Sequence, residues 1–129
     1  MKNLIVKFIA TAILAAGIPA VALANGSATT MSSPMESIVK YFTVGAFDQD
    51  SHSVYINAGE LVYIKATGNG NSDLDMYVYD SNENLVVQDV RNTTDGYVTF
   101  TAGRSGTYYI DITNDGDEDN VYKLVVNLY

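Results

Sequence analysis

The sequence predicts an all-β fold, an antiparallel β-sandwich or jelly roll of about seven to eight short strands. Two phrases carry that reading. Ser72 to Val86 (SDLDMYVYDSNENLV) and Ser105 to Thr113 (SGTYYIDIT) alternate apolar with polar or tyrosine residues at period two, and turn formers bound each of them. The third observation is negative: from Ile38 onward no window longer than a few residues shows helical spacing.

In chain order, Met1 to Ala24 is set apart first. Lys2 and Lys7 precede an uncharged apolar run from Phe8, followed by Pro19 and the small-residue ending Ala22-Leu23-Ala24. These are the parts of a cleavable secretory signal. The competing reading is a retained anchor, because Phe8 to Ala24 is long enough to sit at the short edge of what crosses a bilayer. Pro19 and Ala22-Leu23-Ala24 favour cleavage, which predicts a soluble protein, secreted or periplasmic, with no membrane attachment afterwards. The chain has no cysteine, so neither a lipid-bearing cysteine nor a disulfide framework is available. Residues 25–36 (NGSATTMSSPME) are small and polar, a flexible lead-in. Residues 37–129 then make up one domain, large enough to bury a core without staples.

Candidate strands run over Ile38–Val44, Ser53–Ile56, Leu61–Ala66, Leu74–Asp80, Leu85–Val90, Tyr97–Thr101, Thr107–Thr113 and Val121–Leu128. Turn clusters at Asp48–Ser51, Asn57–Gly59 and Gly68–Ser72 separate the earlier ones. Alternation assigns the faces. Val62, Ile64 and Ala66, then Leu74, Met76 and Val78, then Tyr108, Ile110 and Ile112, then Tyr122, Leu124, Val126 and Leu128 are the expected core. The opposite faces carry Tyr63, Tyr77, Tyr79 and Tyr109, where a solvated strand usually shows Lys, Glu or Thr. The chain has 10 tyrosines and no tryptophan.

The phrase Asp73-Leu74-Asp75-Met76-Tyr77-Val78-Tyr79-Asp80, the following Asn82 to Val86, Ser105-Gly106-Thr107-Tyr108-Tyr109-Ile110 and the closing Tyr122-Lys123-Leu124-Val125-Val126 together resemble the bacterial pre-peptidase C-terminal domain. The likeness covers about Tyr41 to Leu128. It implies a small β-sandwich of the kind found behind the catalytic domains of secreted peptidases. The family's relatives include collagen-binding domains of clostridial collagenases, several of which bind calcium. Family members usually place an acidic residue directly before an aromatic in the second strand, whereas this chain has His52-Ser53-Val54-Tyr55. Another departure is the expected organisation of signal, lead-in and module with no protease in front.

Loss of the signal takes two lysines, so a net charge of −8 becomes −10. Nothing in such a chain neutralises phosphates, which disfavours a nucleic-acid partner. Catalysis is disfavoured as well. The one histidine, His52, lies in FDQDSHS, read here as a solvated turn, and no nucleophile-elbow pattern is present. Asp73 with Asp75 is a carboxylate pair at strand-start spacing, more in keeping with turn formation or edge protection than with glycoside cleavage.

Two functional candidates remain. Calcium is the candidate cofactor, since a hard cation takes six to eight oxygens and the turns supply clustered aspartates: Asp48 with Asp50, Asp73 with Asp75, and Asp115, Asp117 and Asp119. The last cluster fails the helix-loop-helix pattern, with Asn120 in place of the sixth-position Gly and Val126 in place of the twelfth-position Glu. The tyrosines are the other candidate, a stiff amphipathic platform of Tyr63, Tyr77, Tyr79 and Tyr109 for an extended peptide or a sugar chain. The leading expectation is an exported, non-catalytic binding module that engages an extracellular protein or polysaccharide, with calcium bracing its loops. The alternatives are a structural or assembly protein using the tyrosine face as a subunit contact, and a stand-alone modulator of a secreted peptidase.

Overall fold

A computed structural model of the protein describes residues 36–129. The expected signal, and all of the lead-in but Glu36, lie outside them. Eight strands follow in order: β1 Glu36–Val44, β2 Gln49–Ile56, β3 Leu61–Thr67, β4 Leu74–Tyr79, β5 Leu85–Asp89, β6 Asp95–Thr101, β7 Gly106–Asn114 and β8 Asn120–Leu128. Sheet A has the order β2-β7-β4-β5 and sheet B the order β1-β8-β3-β6, with every pairing antiparallel. This is the expected β-sandwich, and all eight expected strands are present.

The period-two pattern produces the core. Val62, Ile64 and Ala66 of β3 face Leu74, Met76 and Val78 of β4, with Tyr108, Ile110 and Ile112 from β7 and Tyr122, Leu124, Val126 and Leu128 from β8, all buried. Because side chains alternate strictly, a one-residue slip of any of these strands would expose its whole apolar set, so burial sets the register.

One boundary differs from the sequence reading, with consequences for the site. The first turn is Gly45–Asp48, where Phe47 adopts a left-handed φ of 53° and Asp48 N–H donates to Gly45 O, and β2 has already begun at Gln49. The polar stretch from Gln49 to Ser53 looked like a turn because it lacks apolar residues. It is a strand because β7 pairs with it from Gln49↔Thr113 to Ile56↔Gly106. His52 is therefore no solvated turn residue. It points inward and is buried.

The turns β1–β2, β3–β4, β5–β6 and β7–β8 share one end of the sandwich, where Thr93 N–H bonds to Asp73, Gly68 N–H to Thr94 O, and two buried asparagines fasten the other three turns. Asn114 Nδ2 donates to Gly45 O (3.0 Å) and Glu118 O (2.7 Å), while its Oδ1 accepts from Gly116 N–H (3.0 Å). Asn120 Oδ1 accepts from Asn69 N–H (3.1 Å), and its Nδ2 donates to Ser72 Oγ (2.9 Å). Loops packed this closely leave no room for side chains at their contacts. A Cβ on Gly68 would come within 2.8 Å of Thr94 and Asn120, and one on Gly116 would overlap Ser72.

Candidate functional site

The turn end concentrates acid. Asp48, Asp73, Asp95, Asp115, Asp117, Glu118 and Asp119 stand in or beside its turns, with Arg91 as a cation among them. Several of these carboxylates already have structural work. Asp48 Oδ1 accepts from Gln49 N–H (2.8 Å), Asp73 Oδ1 from Thr93 N–H (2.7 Å) and Asp119 Oδ1 from Ala46 N–H (3.1 Å). Asp75 lies outward on β4 with Tyr77 Oη donating to its Oδ2 at 3.4 Å, and burial plus the charges of Asp73 and Asp115 push its pKa up. Asp50, expected beside Asp48, turns the other way into the sandwich. Among the described residues no three His, Cys, Asp or Glu side chains converge as a cation site requires. Asp75 Oδ1 is buried without a hydrogen-bond partner, with the charges of Asp73 and Asp115 close by, and a calcium cage would need further oxygens at about 2.3–2.6 Å from one point. Calcium and magnesium are accordingly expected to raise the thermal midpoint of the mature chain equally, by screening the acidic end. A calcium-specific rise in differential scanning calorimetry would contradict this geometry.

The tyrosine candidates divide between the two sheets. Tyr77 and Tyr79 of β4 and Tyr109 of β7 share the outer face of sheet A, with Tyr79 directly opposite Tyr109. Tyr55 of β2 joins them there, 61% exposed. Tyr63 does not. It lies on the outer face of sheet B, where its ring stacks on Tyr97 with centroids 6.4 Å apart, and the Arg91 guanidinium covers Tyr97 at 4.8 Å from the ring centroid. Alternation placed all four tyrosines outside correctly but does not say which sheet a strand joins, and β3 pairs with β6 and β8 rather than with β4.

Arg91 belongs to a clasp between the sheets. Asp89 ends β5, and its carboxylate accepts from Arg91 Nε (2.8 Å), Arg91 Nη2 (2.7 Å) and, across to β6 in the other sheet, Tyr97 N–H (2.9 Å). These donors, the Arg91 side chain first, hold the Asp89 pKa down at about 2 despite its burial.

A second clasp, missed by sequence reading, lies at the opposite edge. Tyr122 Oη of β8 donates to Asp50 Oδ2 (2.8 Å) and lies 2.6 Å from His52 Nε2. Tyr122 has given its only proton to Asp50, so His52 donates through Nε2–H and its Nδ1 carries a lone pair. That Nδ1 is buried and has no hydrogen-bond partner. Leaving an acceptor in that state costs about 1–3 kcal/mol. Burial, with the nearby charge of Lys40, pushes the His52 pKa down to about 4, so the ring is neutral near neutral pH. The Phe42 ring packs on the imidazole at 4.1 Å between centroids. Spacing from Asp50 to His52 put both on one strand face, which was the available signal, but their partner is 70 residues away at Tyr122.

Two four-stranded antiparallel sheets with tyrosines on one outer face and carboxylates at one loop end define a small all-β sandwich domain. The bacterial pre-peptidase C-terminal domain family matches residues 48–114, from the end of the first turn through β7. The chain belongs to that family. Among solved structures it is similar to the periplasmic inhibitor of g-type lysozyme PliG from Aeromonas hydrophila, at 15% identity over 84% of this chain and 93% of that one, TM-score 0.58. It is likewise similar to the pre-peptidase C-terminal domain of a Bacillus anthracis collagenase, at 16% identity over 70% and 87% of the two chains, TM-score 0.57. PliG from Salmonella Typhimurium follows at 13% identity over 72% and 87%, TM-score 0.55. No curated protein sequence matches the chain. At these identities the structural likeness establishes the fold.

Proposed function

We propose that the protein is an exported, non-catalytic binding module whose outer face of sheet A contacts a partner protein. The observation that carries this reading is the gathering of Tyr55, Tyr77, Tyr79 and Tyr109 on that one face, with Tyr79 and Tyr109 opposite each other on paired strands. Tyrosine supplies large contact area at low conformational cost, and such residues dominate the energetics of protein interfaces. Two structural neighbours are periplasmic inhibitors of g-type lysozyme and a third is a domain of a collagenase, which supports a protein partner outside the cytoplasm. The signal features of Met1 to Ala24 support export, and no helix among the described residues is long and apolar enough to cross a membrane.

The first partners to assay are a g-type lysozyme and collagen, each immobilised, with the mature chain in solution. Binding to one of them is expected, and Tyr79→Ala with Tyr109→Ala should weaken it by at least about tenfold while the unfolding midpoint moves little. An unchanged affinity in that double variant would remove the tyrosine face from the proposal. Failure to bind either partner would remove both partner classes. The acidic turn end favours a cationic partner, so affinity should also fall as salt rises from about 0.05 to 0.5 M, because surface charges are then screened.

A further inference from the structure

The outer face of sheet B carries the opposite charge to the rest of the molecule. Of the 7 lysines and arginines in the chain, Lys2 and Lys7 leave with the signal, and the remaining five face 15 acidic residues. Two of those five, Lys65 of β3 and Lys123 of β8, stand on this face on the two inner strands of the order β1-β8-β3-β6. Lys65 is opposite Val125 and Lys123 is opposite Thr67, so the two lysines are diagonal neighbours, about 7–8 Å apart. Neither forms an ion pair among the described residues. A tyrosine flanks each of them on the outer strands: Tyr41 of β1 is opposite Lys123, and Tyr97 of β6 is opposite Lys65. Tyr41 is 72% exposed and Tyr97 52%, the latter held in place by the Tyr63 ring and the Arg91 guanidinium. The acid in these rows is Asp95, beyond Thr67 at the β6 edge.

We propose that this face binds a carboxylate-bearing polysaccharide, laid across the strands with its carboxylates on Lys123 and Lys65 and its sugar rings against Tyr41 and Tyr97. The band from Tyr41 to Tyr97 crosses three strand spacings, about 14 Å, on an open sheet face, which suits a polymer better than a small molecule. The order of the groups selects the polymer. Protein–protein interfaces have an apolar centre depleted of lysine and a polar rim. Here two ammonium groups hold the centre and the rings stand at the margins, so the surface suits a chain of repeated carboxylates with no apolar core of its own. A neutral polymer would leave both charges unanswered, and two lysines are too few to track a phosphate backbone. The negative charge elsewhere on the molecule is screened beyond about 8 Å at physiological ionic strength, so the lysines govern a polymer in contact with them. The face lies on the other side of the sandwich from Tyr55, Tyr77, Tyr79 and Tyr109, and stands or falls independently of the partner-protein reading.

The test is calorimetric titration of the mature chain with alginate, a polyuronate, beside neutral dextran and poly-L-glutamate, at about 0.15 M salt. Chelator is present throughout, so that no metal ion bridges the acidic turn end to the polymer. Alginate is expected to bind and dextran not to. Poly-L-glutamate, which has the carboxylates without the sugar rings, should bind at least about tenfold more weakly. Lys65→Gln with Lys123→Gln keeps most of each stem and removes the charges, and should weaken alginate at least about tenfold while the unfolding midpoint moves little. If that pair fails to fold, Tyr41→Ala, at a side chain mostly in solvent, should still weaken alginate about threefold or more and leave poly-L-glutamate unchanged. Tyr79→Ala with Tyr109→Ala, on the other sheet, should leave alginate binding as it is. No binding of alginate, or its loss in that sheet A pair, would overturn the proposal. So would poly-L-glutamate binding as tightly as alginate, which would assign the face to an acidic protein.

Discussion

Acidification from pH 6.5 to 4 is expected to lower the unfolding free energy by about 2–3 kcal/mol through His52 alone. The sign follows from which state binds the proton. His52 takes one up near pH 6.5 in the unfolded chain but only near pH 4 in the folded one, so between those values the unfolded state holds more protons and gains relative stability as pH falls. The contribution is complete above pH 6.5 and gone below 4. Three groups act around the ring. Lys40 of β1 opposes its protonation, Tyr122 of β8 bonds to it, and Asp50 of β2 lies one step further along the same chain. The pKa of Asp50 is itself raised, chiefly by burial. The folded state therefore gains a proton at Asp50 more readily than the unfolded chain does, and this offsets part of the loss at the acid end of the window. Urea midpoints at pH 7, 5.5 and 4 measure the effect. In His52→Phe, which keeps a ring against Phe42 and cannot titrate, the slope between pH 6.5 and 4 should flatten. A slope unchanged by that substitution would show that other groups carry the dependence.

Asp89→Ala is expected to cost about 2–3 kcal/mol at neutral pH. The substitution removes the acceptor for the Tyr97 N–H and frees the Arg91 side chain from its salt bridge, so the β5 edge of one sheet loses its tie to the β6 edge of the other. Arg91→Ala should cost less, since Tyr97 N–H keeps its acceptor, although the buried Asp89 carboxylate then loses its main donor. The Asp89 pKa is depressed to about 2, so its stabilisation is present above about pH 4 and is lost only as pH falls from there towards 2. The two clasps thus fail in different ranges, the His52 edge above pH 4 and the Asp89 edge below it. Hydrogen exchange of the Tyr97 amide should accelerate in Asp89→Ala without a matching change at His52. Uniform acceleration across both edges would mean that the sandwich opens as a unit and that the clasp is not local.

Much of the fold was legible because strand alternation is written residue by residue. Each expected core residue is buried, and each expected strand exists with ends shifted by a few residues. The misreadings fall where local composition and long-range pairing disagree. Gln49 to Ser53 is polar enough to pass for a turn, yet β7 makes it a strand, and its inward members Asp50 and His52 are tolerated in the interior because Tyr122 meets them there. Asn114 and Asn120 flank the acidic hairpin like ordinary turn residues. Only the convergence of the neighbouring turns turns them into the buried fasteners of that end.

The same division holds for function. Composition and order along the chain sufficed for the all-β class, the eight strands, the core side of each, the outward tyrosines and the family resemblance. Tertiary structure alone decided that Tyr63 joins Tyr97 while Tyr77, Tyr79 and Tyr109 share the other sheet. It also decided that Asp48, Asp73 and Asp119 accept from backbone N–H groups while Asp50 turns inward to Tyr122, and that His52 ends with a buried, unanswered nitrogen. The reason is physical: which way a side chain points is a property of its own strand, whereas what it meets depends on pairings such as β1 with β8 and β2 with β7, between segments far apart in sequence.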